Sequence, residues 1–331
     1  MGTGLPVAVY ALFVVAGLVA LAWSSDVFVE GAAALAKILG ISAFVIGMVV
    51  IGFGTSAPEL CVSLLSGLSG HANLSVGNAY GSCIFNIAVI VGVAALVYPV
   101  SVKPMVAFVA SPLLAAISLY SMWILGDGTC SRGDAASLLA LFAVVLPFYC
   151  WMDSRAGGAA QGEAEDGGAA TTLRRAVART LLGLAVLVGS SYILVEGAVG
   201  IAKFFGVSDL MIGLTVVAAG TSLPELASAV AAARRRQHEF VFGNIVGSNI
   251  FNMLAVVGLS CVASPATPSR YVLVRDLPAT AAMSLAILVL GANWRGVRQA
   301  GVVGRGKAVV LLAAFAVYAA VMFIQETGGG R

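Results

Sequence analysis

Apolar positions along this chain gather into ten runs, at about residues 5–23, 43–67, 74–98, 105–125, 135–152, 180–201, 210–233, 240–262, 278–293 and 307–324. A helix needs about 20 apolar residues to cross the hydrocarbon of a bilayer, and the runs cluster around that length. The pattern predicts ten membrane-spanning helices joined by short loops. The first run lacks a basic leader and a small-residue cleavage site, so it reads as a span and not as a signal peptide. Between the fifth and sixth runs the polarity inverts. Residues 153–177 are rich in Gly, Ala and charge, a composition that cannot bury a core and reads as a flexible linker. It divides the chain into residues 1–152 and 178–331, five spans each.

Lys and Arg set the expected orientation, because cytoplasmic loops carry them in excess. With the linker in the cytoplasm, alternation of the spans also places Lys37, Lys103, Arg234, Arg235, Arg236, Arg295, Arg298, Arg305 and Lys307 there. Arg132, Lys203, Arg270, Arg275 and Arg331 remain outside. Both termini are then expected outside the cytoplasm, and an odd number of spans per half makes each half start on the opposite side. The halves are also copies. A shift of 166 lays residues 24–92 over 190–258 without a gap, with about 28 identities in 69 positions, the signature of a duplicated unit. Duplicated units of opposite orientation are the inverted repeats of secondary transporters, whose substrate site lies near the midplane where the repeats meet.

Composition narrows the class further. The chain is 60% hydrophobic and 10% charged, with a mean hydropathy of +1.02. Soluble domains carry about 25% charged residues, so a water-soluble fold is excluded. Five scattered cysteines with no Cys-x-x-Cys exclude a disulfide scaffold and a zinc ribbon. A net charge of +3 gives no ground for a nucleic-acid partner. The expected partners are the lipid bilayer and metal-ion substrates, and no cofactor is expected.

Two acidic residues fall inside the hydrocarbon. Glu59 and Glu225 occupy equivalent places in the second and seventh spans. An ionised carboxylate at that depth costs about 2.5–3.5 kcal/mol even on the mildest scales. No Lys or Arg falls at comparable depth in the ten runs, so the compensating charge is expected to be an external cation. Each glutamate ends a Gly-Thr-Ser-x-Pro-Glu block, 54–59 and 220–225. Pro58 and Pro224 have no N–H to give, which frees the carbonyls of Gly54 and Gly220. Such carbonyls are tolerated within a membrane only where they line a cavity or meet a ligand. Thr55, Ser56, Thr221 and Ser222 add hydroxyls. Carboxylate, hydroxyl and carbonyl oxygens together suit calcium or sodium, whereas softer metals call for His or Cys.

The third and eighth spans carry Gly77-Asn78-x-x-Gly81-Ser82 and Gly243-Asn244-x-x-Gly247-Ser248. Small residues four apart let helices approach closely. Asn86 and Asn252 follow the serines by four positions, so Ser82 with Asn86, and Ser248 with Asn252, share a helical face. Their oxygens can meet a cation without adding charge. Asn78 and Asn244 fit either ligation or hydrogen bonding between helices.

The two Gly-Thr-Ser-x-Pro-Glu-Leu blocks and the two Gly-Asn-x-x-Gly-Ser-x-Ile-Phe-Asn blocks resemble the α-repeats of the cation/calcium exchanger superfamily, in particular its bacterial calcium/sodium antiporter branch. The resemblance spans essentially the whole chain. It implies an all-α polytopic membrane protein of ten transmembrane helices in two inverted five-helix repeats, in which a long tilted first and sixth helix slide across an ion-holding bundle of eight. It implies Ca2+ between the carboxylates of Glu59 and Glu225 with carbonyl oxygens of Thr55 and Thr221. It implies Na+ sites at those glutamates with Ser56, Ser222, Ser82, Ser248, Asn86 and Asn252. The implied activity is secondary active Ca2+/Na+ antiport by alternating access in the inner (plasma) membrane, expelling calcium, with one chain sufficient. Family members commonly have aspartate at one of the two positions held here by Asn86 and Asn252. With asparagine at both, the fixed charge is that of two glutamates, and a Ca2+/H+ antiporter on the same fold stays open. A passive cation channel is a further alternative. A membrane enzyme with a serine nucleophile is disfavoured, since no span offers a histidine or lysine base. Cys83, standing where the second repeat has Asn249, is expected to pack and not to bind. Glu30, Glu196, Lys37 and Lys203 read as charges at helix ends.

Overall fold

The computed structural model describes residues 6–68, 72–155, 172–205, 218–296 and 298–328. Helices dominate it. The first half contains α1 (Val7–Leu39), α2 (Ala43–Thr55), α3 (Ala57–Leu68), α4 (Ser75–Val97), a short strand β1 (Val100–Val102), α5 (Val106–Ile124) and α6 (Arg132–Arg155). The second contains α7 (Leu173–Phe204), α8 (Ala218–Thr221), α9 (Leu223–Arg234), α10 (His238–Ala263), α11 (Val272–Gly291), strand β2 (Gly301–Val303) and α12 (Arg305–Gly328). Among the described residues, eight helices are long and apolar enough to span a membrane, or nine if the bent pair α2–α3 counts as one. The seventh expected span, 210–233, is described only from Ala218 onward.

Several boundaries differ from those the hydropathy predicts. α1 runs on past residue 23 through Ser24, Ser25, Asp26, Glu30 and Lys37, because helical hydrogen bonding tolerates polar residues that end an apolar run. α6 and α7 extend to Arg155 and begin at Leu173, so both edges of the expected 153–177 linker are helical. The rest of that segment, 156–171, lies outside the described residues. α11 starts at Val272, earlier than residue 278, and carries Arg275 within its first turns. Arg275 is neutralised there by its neighbour Asp276, Nε to Oδ1 at 2.6 Å and Nη2 to Oδ2 at 3.2 Å.

α1 and α7 are 33 and 32 residues long. At 1.5 Å per residue each is about 50 Å, well beyond a hydrocarbon core of about 30 Å, so both must tilt. They lie against each other, and glycines set their separation. A Cβ at Gly17 would meet Leu194, at Gly31 Thr180, at Gly183 Phe28, and at Gly197 Phe13 and Val14. Partner numbers fall as the first rise, so the helices are antiparallel. Residues 24–39 and 190–205 are copies of one another, and antiparallel copies place the two halves in opposite senses.

Other contacts are exchanged between the halves in the same way. α6 packs on the last turns of α10, and α12 on the last turns of α4. β1 pairs with β2, Val100 opposite Val303, while Ala266, the shifted equivalent of Val100, bridges Cys130. α10 is almost wholly buried at the centre. α1, α6 and α12 turn large apolar side chains outward, among them Leu18, Val19, Val144 and Val317. An apolar outer surface around a polar-lined interior is the arrangement that lipid requires.

Candidate functional site

Both glutamates sit where a helix is broken. The chain bends by 49° between α2 and α3, at Ser56, whose φ of −83° and ψ of 3° leave the α-region. Ser222 takes nearly the same conformation between α8 and α9, at φ −91° and ψ 9°. Proline at the next position but one cannot continue the preceding helix but suits the first turn of a new one. Glu59 and Glu225 therefore stand in the first turns of α3 and α9. They are 1% and 2% exposed, at helix N-termini that favour negative charge.

The spacing Ser-x-x-Glu ordinarily closes a capping box within a single helix. Here the serines reach into the other repeat. Ser56 Oγ donates to Glu225 Oε1 at 2.9 Å, and Ser222 Oγ lies 3.5 Å from Glu59 Oε1. Each carboxylate is thus held by the serine of the opposite half, which brings the two broken helices to one place. Ser222 makes no cap bond to its own helix.

Thr55 is fully buried. Its hydroxyl donates to the Ile51 carbonyl at 2.9 Å and lies 3.3 Å from Asn244 Oδ1. Ser248 Oγ sits 3.3 Å from the Gly52 carbonyl and 3.4 Å from Asn244 Oδ1. Asn244 donates through Nδ2 to the Glu225 carbonyl at 3.2 Å and to Ser228 Oγ at 3.1 Å. Both ends of this amide are engaged, so Asn244 works as a tie between α2, α9 and α10, the hydrogen-bonding role of the two open for it. It approaches α2 closely because Gly243 and Gly247 meet the Phe44 and Met48 carbonyls with no side chain between. Thr221 is half-buried at the end of α8, and Ser82 is buried on α4.

Asn86 and Asn252 are each 1% exposed and both fall in π-helical turns, Asn86–Ile90 and Phe251–Val256. Such turns insert an extra residue, re-aim side chains and recur at functional sites. Nothing in the hydropathy announces them. Asn86 Nδ2 donates to Asn249 Oδ1 at 3.2 Å, which fixes the amide and leaves its oxygen as the unpaired atom. Cys83 is fully buried with its sulfur 3.8 Å from the Asn249 carbonyl. Asn249, which the motif reading left without a role, thus orients Asn86.

Among the candidate site residues, four buried oxygens have no hydrogen-bond partner: Glu59 Oε2, Glu225 Oε2, Asn86 Oδ1 and Asn252 Oδ1. They form two pairs related by the repeat shift, and all are acceptors. Among the described residues, neither glutamate belongs to an ion pair. Buried acceptors without donors carry a desolvation cost that a cation would relieve. The Gly220 carbonyl, expected to be free, accepts from Ser191 Oγ on α7 at 3.0 Å. That bond ties the tilted pair to the broken helix beside Glu225, a contact the motif reading did not foresee although Ser191 belongs to the duplicated Ser-Ser pair at 24–25 and 190–191.

Fold and site together define a cation carrier built on inverted repeats. The sequence model for the sodium/calcium exchanger protein family matches residues 9–151 and 175–324. The putative antiporter CaxA of Alkalimonas amylolytica is 37% identical over 316 residues, covering 94% of this chain and 98% of its own. The inner membrane protein YrbG of Escherichia coli (strain K12) is 35% identical over 320 residues, covering 93% and 95%. The structure of the sodium-calcium exchanger NCX_Mj, soaked with Na+ and Sr2+, superimposes with a TM-score of 0.80 at 28% identity, covering 95% of this chain and 99% of that one. The chain belongs to the sodium/calcium exchanger family. It is a multi-pass membrane antiporter of cations, Ca2+ among them, and not an enzyme.

Proposed function

We propose that this protein expels Ca2+ from the cytoplasm in exchange for Na+ by alternating access. The four donor-less oxygens of Glu59, Glu225, Asn86 and Asn252 carry the reading. Calcium lies between the two carboxylates, with the carbonyls of Thr55 and Thr221 completing an all-oxygen shell. Sodium uses the same carboxylates with Ser56, Ser222, Ser82, Ser248, Asn86 and Asn252. The two ions compete because the site offers two negative charges, enough for one Ca2+. An empty, charged site cannot pass an apolar barrier, whereas a loaded, neutralised one can, and this couples the two fluxes. α1 and α7 are the moving pair, and their tilt and length fit sliding across the bundle that holds the glutamates.

The basic residues support an orientation. With the spans alternating, Lys37, Lys103, Arg155, Arg174, Arg175, Arg179, Arg234, Arg235, Arg236, Arg295, Arg298, Arg305 and Lys307 fall on one side of the membrane, the side expected in the cytoplasm. The termini are then outside, the membrane is the inner (plasma) membrane, and residues 156–171 link two cytoplasmic ends. One chain contains both glutamates, so a monomer suffices.

Ca2+/H+ exchange is the second reading, favoured by asparagine at both 86 and 252, since two carboxylates balance one Ca2+ or two protons. Reconstituted protein decides between them. An outward-directed Na+ gradient should drive 45Ca2+ into vesicles at constant pH; uptake that follows a proton gradient and ignores Na+ would establish the second reading. Flux without any counter-ion would mark a channel.

A further inference from the structure

The helix stripes that carry the site can be followed away from it in two directions. Ser63 is one turn beyond Glu59 on α3, Ser75 is two turns before Ser82 on α4, and Ser260 is two turns beyond Asn252 on α10. They are 1%, 1% and 0% exposed. None of the three hydroxyls has a hydrogen-bond partner. They lie toward the same membrane face, opposite the basic one. α3 and α10 meet there closely: a Cβ at Gly67, one turn past Ser63, would be 2.8 Å from the Ser260 carbonyl and hydroxyl oxygens.

The same steps from the partner residues give another lining. One turn beyond Glu225 is Ala229, two turns before Ser248 is Val241, and two turns beyond Asn86 is Ala94. Ala233 stands where the first repeat has Gly67. These four are as deeply buried as the serines. The repeats therefore agree at the glutamates and diverge beyond them, with neutral oxygens toward one face and hydrocarbon toward the other.

A buried hydroxyl left unpaired costs about 1–3 kcal/mol, and three on converging stripes call for a polar occupant. The lining offers hydroxyl and carbonyl oxygens without a carboxylate. Neutral hard oxygens suit a monovalent cation with part of its water; a divalent ion would keep most of its charge uncompensated. We infer that α3, α4 and α10 enclose a second, hydroxyl-lined station for Na+ between the glutamate site and the face opposite the basic one, without an equivalent on the basic side. This rests on the cation-exchange reading and adds an asymmetric path to it.

The test is made in protein whose cysteines, Cys61, Cys83, Cys130, Cys150 and Cys261, are replaced. Ser63→Cys, Ser75→Cys and Ser260→Cys are compared with Ala229→Cys, Val241→Cys and Ala94→Cys, using Ag+, an ion of nearly the size of Na+, added to either side of transporting vesicles. Ag+ should inhibit the three serine-position variants at least about ten-fold more strongly than the alanine- and valine-position ones, with Na+ protecting. Equal inhibition of both sets, or inhibition of neither, would overturn the station. A parent protein that exchanges no Ca2+ would instead overturn the underlying reading. The triple Ser63→Ala, Ser75→Ala, Ser260→Ala variant gives a separate measure: its half-saturating Na+ should rise about five-fold with half-saturating Ca2+ held within about two-fold. An unchanged Na+ half-saturation would equally sink the proposal.

Discussion

In the proposed mechanism two carboxylates carry the function, and their environment makes them hard to replace. Glu225 accepts from Ser56 through one oxygen and keeps the other unpaired. Glu225→Gln keeps the shape but removes half of the fixed charge. Ca2+ flux should fall by at least about 100-fold while the thermal unfolding midpoint in detergent stays within a few degrees or rises, since a buried charge has been removed. Near-normal flux would contradict the site. Asn252→Asp adds charge to an oxygen that has no donor. Half-saturating Na+ should shift about three-fold or more, with Ca2+ affinity changing less, if that oxygen meets Na+; proteoliposome titrations with each ion would show it. At this scale the sequence was highly informative. Duplication and depth singled out Glu59, Glu225, Thr55, Ser56, Ser82, Ser248, Asn86 and Asn252 as candidates, and the fold buries every one of them. Asn249 and Ser191 were not found. Their roles depend on which other helix they face, α4 of the first half for Asn249 and α8 of its own half for Ser191, and a motif read along one strand of sequence contains no such term.

Helices were legible where hydropathy governs them and illegible where local hydrogen bonding does. Pro58 and Pro224 announced the breaks, but that Ser56 and Ser222 each reach the glutamate of the other half follows only from the packing of α2–α3 against α9. The π-turns at Asn86 and Phe251 left no trace in residue type. In the sequence Glu30 reads as a helix-end charge and Asp26 as an interfacial one, yet Arg235 joins both, Nε to Asp26 Oδ1 at 3.3 Å and Nη2 to Glu30 Oε1 at 2.8 Å. The clasp fastens the tilted helix α1 to the end of α9, which begins at the Glu225 break. Its shifted equivalents are Tyr192 and Glu196 on α7, so the opposite face has no copy of the Asp26 arm. Partly exposed pairs contribute about 0.2–1 kcal/mol each. Arg235→Gln should therefore shift the balance of inward- and outward-facing forms only a few-fold, visible as a changed ratio of Ca2+ half-saturation on the two sides of the membrane at low salt and fading at high salt. Gly31→Leu is expected to be far more damaging. A Cβ there comes within 2.6 Å of the Thr180 backbone nitrogen and hydroxyl, so α1 and α7 must separate. Loss of flux together with a lower unfolding midpoint is the expected result, checked by transport and melting of the same preparation.

Taken whole, the molecule is one design used twice, and the gapless 166-residue shift in the sequence reveals it. The sense of the second copy followed from counting spans, and the antiparallel contacts of α1 with α7 bear it out. What counting could not supply was where the copies differ in use, because Ser63 against Ala229 or Ser191 against Ser25 are ordinary substitutions until their surroundings are known. The reciprocal seating of Gly17 with Gly183 and of Gly31 with Gly197 has a further consequence. Each half presents to its mate the surface that the mate presents in return, so recognition between halves is written into the helices and not into the chain that joins them. Residues 1–163 and 164–331, produced in one cell as two polypeptides, should find each other in the bilayer, co-purify and restore ion flux, whereas either alone should be degraded. Such a molecule is, in effect, a dimer that has been tied together: its ancestor needed only one gene, a tolerance for being inserted either way up, and a later fusion that made the pairing permanent and let the two copies begin to specialise.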